Sequence, residues 1–406
     1  MHFQRISRFF ACLLAFGLIA TAPLGATTTK GKRRVAHRSA HLSKRANASR
    51  ATASTAAPRV VLAAHHPVSH LSRLPRKRYV FSPWTEPTFA DPTAGDLVDG
   101  EDLVVRRAAV QALGPFNGTV VAVDPSTGRI LSIVNQKLAY KSGFTPCSTI
   151  KLVAALGGLN EGIINSDTLL QAMPPHRMTL TEAIAHSNNL YFANVGNQLG
   201  FDRVEKYARM FGLGEKATTI EEEQPGLLPE EPPAEGGVGM MTSFGTGISL
   251  TPLELADLVS AIANGGTLYY LQHPKTEDEI AQFVPRVKRQ LDIARWIPDV
   301  KPGMMGAVEF GTARRASYNP NEPIFGKTGT CTDNRSPTHL GWFGSFNEIG
   351  SKKVVVVVLL TGGRPVSGPI ASGVAGAVYK NLSEANYFGQ TPSTTPIALL
   401  STACCR

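Results

Sequence analysis

Hydrophobic and polar positions divide the chain into stretches of different period. Between Gly118 and Val134, "GTVVAVDPSTGRILSIV" holds two runs rich in Val and Ile around Pro125-Ser126-Thr127-Gly128, and the turn chemistry between them predicts a β-hairpin. Toward the other end, "PIFGKTGTCT", "HLGWFGSF" and "KKVVVVVLL" predict three more strands, the last a continuous apolar run typical of a central strand. The chain between these two sets is mostly helical in pattern. Leu152 to Leu159 is apolar nearly all round, which predicts a buried helix. Thr179 and Glu182 stand at capping-box spacing before "AIAHS". "TPLELADLVSAIANGG" (Thr251 to Gly266) reads as an amphipathic helix with an Asn-Gly-Gly stop, and "GPIASGVAGAVYKNL" (Gly368 to Leu382) as a last helix able to pack on the sheet. The expected fold is α+β: an antiparallel sheet of about five strands flanked by helices, with a helical lobe inserted between the N-terminal hairpin and the C-terminal strands.

The 406 residues, 43% of them hydrophobic, suffice for one large buried core. The formal charge of +10 does not describe the folded part. Fifteen of the 41 Lys and Arg residues and none of the 31 Asp and Glu residues precede Glu86, which leaves the remainder of the chain at −5. The basic character belongs to a segment, and no nucleic-acid partner is expected.

That segment opens with Arg5 and Arg8 ahead of an apolar run from Phe9 to about Ala22, followed by small residues, and reads as a secretory signal. A membrane anchor is the alternative, because Phe9 to Ala26 approaches the ~20 residues needed to span a bilayer. Lys30, Lys32, Arg33 and Arg34 just beyond oppose the positive-inside tendency and favour cleavage. From Thr27 to Arg78 the chain is rich in Ala, Ser, Thr, Arg and His without periodicity, so it is expected to stay extended and to suit anionic wall polymer or a membrane surface. His65, His66 and His70 have no acidic or cysteine neighbour to complete a metal site, and no metal or cofactor is expected. The expected organisation is a signal or anchor at 1–26, a basic linker at 27–85, a connecting segment at 86–115, one domain at 116–385 and a tail at 386–406.

Three short motifs carry candidate chemistry. In "TPCSTIKLVAALGG", Ser148 and Lys151 are one helical turn apart, on one face, so the amine can reach the hydroxyl. A serine there is ordinarily a helix cap, but a buried lysine near another cation has a lowered pKa and can take the serine's proton. "HSNNL" supplies Ser187 and Asn189 at an irregular turn. "GKTGT" supplies Lys327, Thr328, Gly329 and Thr330 on a strand, where Gly329 permits close approach of a substrate backbone.

The ordered set resembles the serine penicillin-recognising family, and within it the transpeptidase domain of penicillin-binding proteins. "VAVDPSTGRILSIV", "GTGISLTPLELADLVSAIANGG", "GTARRA" and "HLGWFGSF" extend the resemblance over roughly Phe116 to Leu382. It implies a β-lactamase-like, transpeptidase-like fold and a D,D-transpeptidase acting outside the cytoplasm, in the periplasm or cell envelope, on D-Ala-D-Ala stem peptides of peptidoglycan, with β-lactams as acylating analogues. By the same resemblance Ser148 is the nucleophile and Lys151 its general base. Ser187 and Lys327 relay the proton, Asn189 holds the peptide amide, Thr328 and Thr330 attract the terminal carboxylate, and the backbone N–H groups of Ser148 and Thr330 form the oxyanion hole.

Cys147 precedes Ser148 and Cys331 follows Thr330, so both flank that oxyanion hole; a similar bridge at matching positions in carbapenem-hydrolysing class A β-lactamases makes Cys147–Cys331 a candidate disulfide. Only 39 positions separate Ser148 from Ser187, short for large transpeptidases, so a D,D-carboxypeptidase stays open as an alternative. A class D-like β-lactamase or β-lactam sensor usually ends the second motif in valine, where this chain has Asn189. A class A enzyme needs a Glu-x-x-Leu-Asn loop that is absent, and a non-enzymatic wall-binding scaffold fits poorly with three intact motifs.

Overall fold

The computed structural model of the chain describes residues 83–349 and 352–389. The expected signal or anchor at 1–26, nearly all of the basic linker at 27–85 and most of the tail at 386–406 lie outside these residues. Among the described residues, no helix is long and apolar enough to cross a membrane.

The sheet has five antiparallel strands: β1 (Gly118–Asp124), β2 (Arg129–Val134), β3 (Ile324–Thr332), β4 (His339–Asn347) and β5 (Val355–Gly362), in the spatial order β2-β1-β5-β4-β3. The two ends of the domain therefore meet in one sheet, with β5 at its centre and β3 at an edge. The Val-rich run of β5 is buried along its whole length because both faces of the sheet are covered. The hairpin turn between β1 and β2 closes at Gly128, whose φ of 74° suits glycine.

The helices that matter here are, in chain order, α1 (Leu103–Leu113), α2 (Lys151–Asn160), α3 (Leu180–Ala185), α4 (Asn189–Leu199), α5 (Gly237–Phe244), α6 (Pro252–Asn264), α7 (Ile297–Glu309) and α8 (Gly368–Glu384). One face of the sheet packs on the inserted lobe through Trp342, Phe346, Val355, Val357 and Leu359, against α2 and α6. The other face packs through Phe343, Val356, Val358 and Leu360 against α1 and α8. Nine of ten residues of α2 are buried, as its apolar run requires, and α3 begins with the Thr179–Glu182 capping box.

The structure alters several expectations. The connecting segment at 86–115 contains α1, capped by Asp102, with Val105, Ala109 and Leu113 fully buried in the core. Helix α6 is not amphipathic: every residue from Pro252 to Ala263 is buried, the acidic ones included. Glu254 accepts from the backbone N–H groups of Gly214, Gly226 and Thr251 at 2.7–3.0 Å, and Lys288 lies 4.0 Å from Asp257. Glu254 is satisfied in this way, whereas both oxygens of Asp257 are buried with no hydrogen-bond partner and burial raises its pKa, so the helix has a polar pattern without an exposed face. Two small sheets, Leu170–Met173 with His176–Met178 and Thr267–Tyr269 with Val287–Gln290, complete the strands.

Candidate active site

Ser148 lies half-buried in a 3-10 turn, Cys147–Ile150, that runs directly into α2. The turn has no side-chain cap, and Ser148 Oγ instead accepts from Lys151 Nζ at 2.6 Å. The i, i+3 spacing thus serves a side-chain pair, not a helix end. Lys151 has no solvent exposure. Its Nζ also donates to Asn189 Oδ1 at 2.6 Å and to Ser187 Oγ at 3.4 Å, and it stands 5.9 Å from the ring centroids of both Phe192 and Phe244. Burial, followed by the nearby Lys327 ammonium, holds the Lys151 pKa well below the ordinary lysine value.

The turn between α3 and α4 delivers Ser187 and Asn189. Helix α3 ends at Ala185, and Ser187 takes a left-handed φ of 57°, which breaks the helix and aims its hydroxyl at the two lysines. Asn188 then caps α4 by accepting from Tyr191 N at 2.8 Å, so Asn189 opens the new helix beside Lys151. Lys327, on β3, is also fully buried; its Nζ donates to Ser187 Oγ at 2.7 Å and to the Thr328 carbonyl at 3.0 Å. Burial pushes its pKa down to about 7. Ser148, Lys151, Ser187 and Lys327 are consequently linked by one unbroken path of hydrogen bonds.

The third motif lies on β3, packed closely against the nucleophile turn. An ideal Cβ on Gly329 would lie 3.0 Å from Pro146 O and 3.2 Å from Cys147 Cβ. The glycine admits the chain's own nucleophile turn against β3. Thr330 is exposed and its Oγ1 accepts from Gly368 N at 2.7 Å, while Thr328 is buried and its hydroxyl pairs with that of Thr312 at 2.7 Å.

Cys147 and Cys331 are joined in a disulfide with α-carbons 5.6 Å apart, so the residues next to them, Ser148 and Thr330, are drawn together. The bridge is one part of a wider clamp between residues 142–147 and the end of the β3–β4 hairpin. Asp333 Oδ1 accepts from Thr145 N and Oγ1 at 3.0 and 2.8 Å, Asn334 N donates to Thr145 Oγ1 at 3.0 Å, and Trp342 Nε1 donates to Thr145 O at 3.0 Å. Arg335 donates to the carbonyls of Ser142 and Gly143. None of these clamp residues, nor Thr312 and Gly368, had been singled out from sequence. "GTARRA" had carried part of the resemblance, and that was the available signal for Thr312. Among the described residues no group of three or more His, Cys, Asp or Glu is placed to hold a metal ion. A cavity of about 940 Å³ lined by Glu86, Asp91, Tyr140 and His273 contains none of the residues above.

A five-stranded antiparallel sheet, an inserted helical lobe and a serine–lysine pair at their junction define the class of serine penicillin-recognising proteins. The chain belongs to the penicillin binding protein transpeptidase domain family, whose model matches residues 118–384. It is 28% identical over 254 residues to stage V sporulation protein D of Bacillus subtilis, covering 54% of this chain and 39% of that protein. It is 24% identical over 372 residues to the peptidoglycan D,D-transpeptidase PbpA of Mycobacterium tuberculosis, covering 75% of this chain and 74% of that protein. The solved structure of PBPA from M. tuberculosis has the same fold, with a TM-score of 0.59 at 24% identity over 70% of this chain and 81% of that one. The D,D-transpeptidase domain of a peptidoglycan glycosyltransferase from Eggerthella lenta gives a TM-score of 0.57 at 21% identity over the same shares.

Proposed function

We propose that the domain is a serine D,D-transpeptidase that cross-links peptidoglycan stem peptides through an acyl-enzyme on Ser148. The observation that carries this is the 2.6 Å contact between Ser148 Oγ and a fully buried Lys151 amine of depressed pKa. Burial that disfavours the charged form of Lys151 makes its amine lone pair more available to accept the serine proton, with no carboxylate or metal needed.

In the reaction so read, the stem peptide lies along the open edge of β3 as an added strand. Lys151 takes the hydroxyl proton as Ser148 attacks the carbonyl between the two D-alanines. The backbone N–H groups of Ser148 and Thr330 stabilise the oxyanion, each worth roughly 2.7–4 kcal/mol. The bond to the terminal D-alanine then breaks, and its amine leaves with a proton delivered from Lys151 or through Ser187, which contacts both lysines. Asn189 spends its Oδ1 on Lys151 and keeps its amide N–H groups for the peptide. Thr328 and Thr330 hold the terminal carboxylate with the charge of Lys327 behind them. An amine from a second strand resolves the acyl-enzyme into a cross-link, and water resolves it into a trimmed peptide.

Support comes from the curated relatives named peptidoglycan D,D-transpeptidases and from the M. tuberculosis protein solved as an imipenem acyl-enzyme complex. Site of action follows from substrate: the protein works outside the cytoplasm, delivered by the 1–26 segment. The basic linker at 27–85 adheres to anionic wall polymer or a membrane surface, a reading that deletion of residues 27–78 tests through loss of salt-sensitive wall retention with acylation intact. For the reaction itself, the purified protein is incubated with a D-Ala-D-Ala pentapeptide and an amine acceptor. Release of D-alanine with the acceptor joined to the peptide supports cross-linking; release with free peptide acid alone makes the protein a carboxypeptidase; no release contradicts the proposal.

A further inference from the structure

Thr312 lies in the loop after α7 and contacts two of the site's elements at once. Its backbone N–H donates to Ala185 O at 3.1 Å, at the end of α3 and two residues before Ser187. Its Oγ1 lies 3.4 Å from the same carbonyl and 2.7 Å from Thr328 Oγ1. The loop can come this close because of glycine: an ideal Cβ on Gly311 would lie 2.1 Å from Ala185 O. Helix α7 meets α3 by the same means, since a Cβ on Gly303 would lie 2.6 Å from Ile184 Cβ.

Either hydroxyl can donate across the 2.7 Å contact in the free protein, and a bound carboxylate, which only accepts, fixes the direction. Ala185 O accepts from Thr312 N–H at 3.1 Å and, with its second lone pair, can also take the Thr312 hydroxyl proton at 3.4 Å while the Thr328 hydroxyl donates to Thr312. A hydroxyl has one proton to give and two lone pairs. When an anion takes the Thr328 proton, Thr312 must turn its own proton to Thr328 to keep the 2.7 Å contact. Thr330 is in the matching state, because its Oγ1 accepts from Gly368 N–H and its own proton is unspent. With an anion bound at the edge of β3, each hydroxyl of the Thr328–Thr330 pair thus has a donor behind it, and each gives its one proton to the anion.

We propose that Thr312 is a positioning residue for carboxylate recognition: its hydroxyl donates to Thr328 and so turns the Thr328 proton toward the substrate's terminal carboxylate. The inference rests on the transpeptidase reading given above, and Thr312 itself touches no reacting atom. Valine at 312 keeps the shape and the backbone N–H but removes the donor. Thr328 then has no partner behind it, and its hydrogen bond to a charged acceptor is weakened.

The test compares benzylpenicillin, which carries the carboxylate, with its methyl ester, which does not. Second-order acylation rates are followed by intact mass for the unsubstituted protein, Thr312→Val, Thr312→Ser, Thr328→Val and the Thr312→Val/Thr328→Val double variant. Acylation of the unsubstituted protein tests the functional reading alone; ratios between variants test Thr312. Thr312→Val lowers the rate for the acid about tenfold, the scale of one charge-assisted hydrogen bond, and changes the ester by less than about twofold. Thr312→Ser restores the acid, and the double variant is no slower than Thr328→Val. Equal losses on acid and ester, or a further loss added to Thr328→Val, overturn the proposal and leave Thr312 a structural residue. If the valine variant does not accumulate as folded protein, Thr312→Ala is read against the same two outcomes.

Discussion

Removing the Cys147–Cys331 bridge separates two contributions that act at the same place. The disulfide closes a loop between residues 184 apart in sequence. By chain entropy, a cross-link of that length lowers the freedom of the unfolded chain by about 5 kcal/mol at 25 °C. A domain of roughly 300 residues unfolds with about 0.6 kcal/mol/K of entropy, so the loss amounts to a fall in Tm of about 8 °C. The folded site is affected much less, because Asp333, Asn334, Arg335 and Trp342 hold residues 142–145 to the β3–β4 hairpin without the bridge. The Cys147→Ala/Cys331→Ala variant should therefore melt about 8 °C lower by scanning calorimetry yet be acylated by penicillin within about tenfold of the parent rate at 25 °C. A Tm shift below about 2 °C would refute the loop-closure argument. Loss of acylation in variant protein that is still folded would refute the claim that hydrogen bonds maintain the oxyanion geometry.

Lys151→Ala should slow acylation by about 10²–10⁴-fold, the range for a general base, and Lys327→Ala by less, as intact-mass time courses can show; equal losses contradict the division of roles. The two lysines also set a pH dependence of stability. Their folded pKa values lie below the unfolded value near 10.4, so the unfolded chain binds more protons between the two and stability rises with pH. For Lys327 that window runs from about 7 to about 10.4, at up to about 1.4 kcal/mol per pH unit. Denaturant titrations of Lys327→Met should show a flatter rise than the parent across that window, and identical slopes would count against burial as the cause. Gly329→Ala places a Cβ 3.0 Å from Pro146 O and should cost about 1–3 kcal/mol while slowing acylation, because the nucleophile turn must retreat from β3. Unchanged stability and rate would show that the contact is slack.

The site was legible where chemistry forces residues close in sequence, as in Ser148 with Lys151 and in the run Lys327 to Thr330. The sheet was legible because its strands are long and apolar. Legibility failed where the partner is remote. Thr145 and Asp333 lie 188 positions apart, and nothing local marks either as half of a clamp. Thr312 and Thr328 meet only because α7 brings a glycine-rich surface onto α3. Helix α6 reads as amphipathic because Glu254 and Asp257 give the alternation of an exposed face, yet Glu254 finds donors outside the helix in Gly214 and Gly226, and Asp257 is buried without a hydrogen-bond partner, 4.0 Å from Lys288. A strand glycine such as Gly329 announces close approach without saying that the chain's own nucleophile turn is one of the groups that approaches.

The central claim is that Lys151 activates Ser148 for acyl transfer. Protein incubated with benzylpenicillin, digested and mapped by tandem mass spectrometry tests it directly. The account predicts one penicilloyl adduct, on the peptide carrying Ser148, absent from Ser148→Ala and strongly slowed in Lys151→Ala. An adduct that persists in Ser148→Ala, or one that forms at the parent rate without the Lys151 amine, would contradict it.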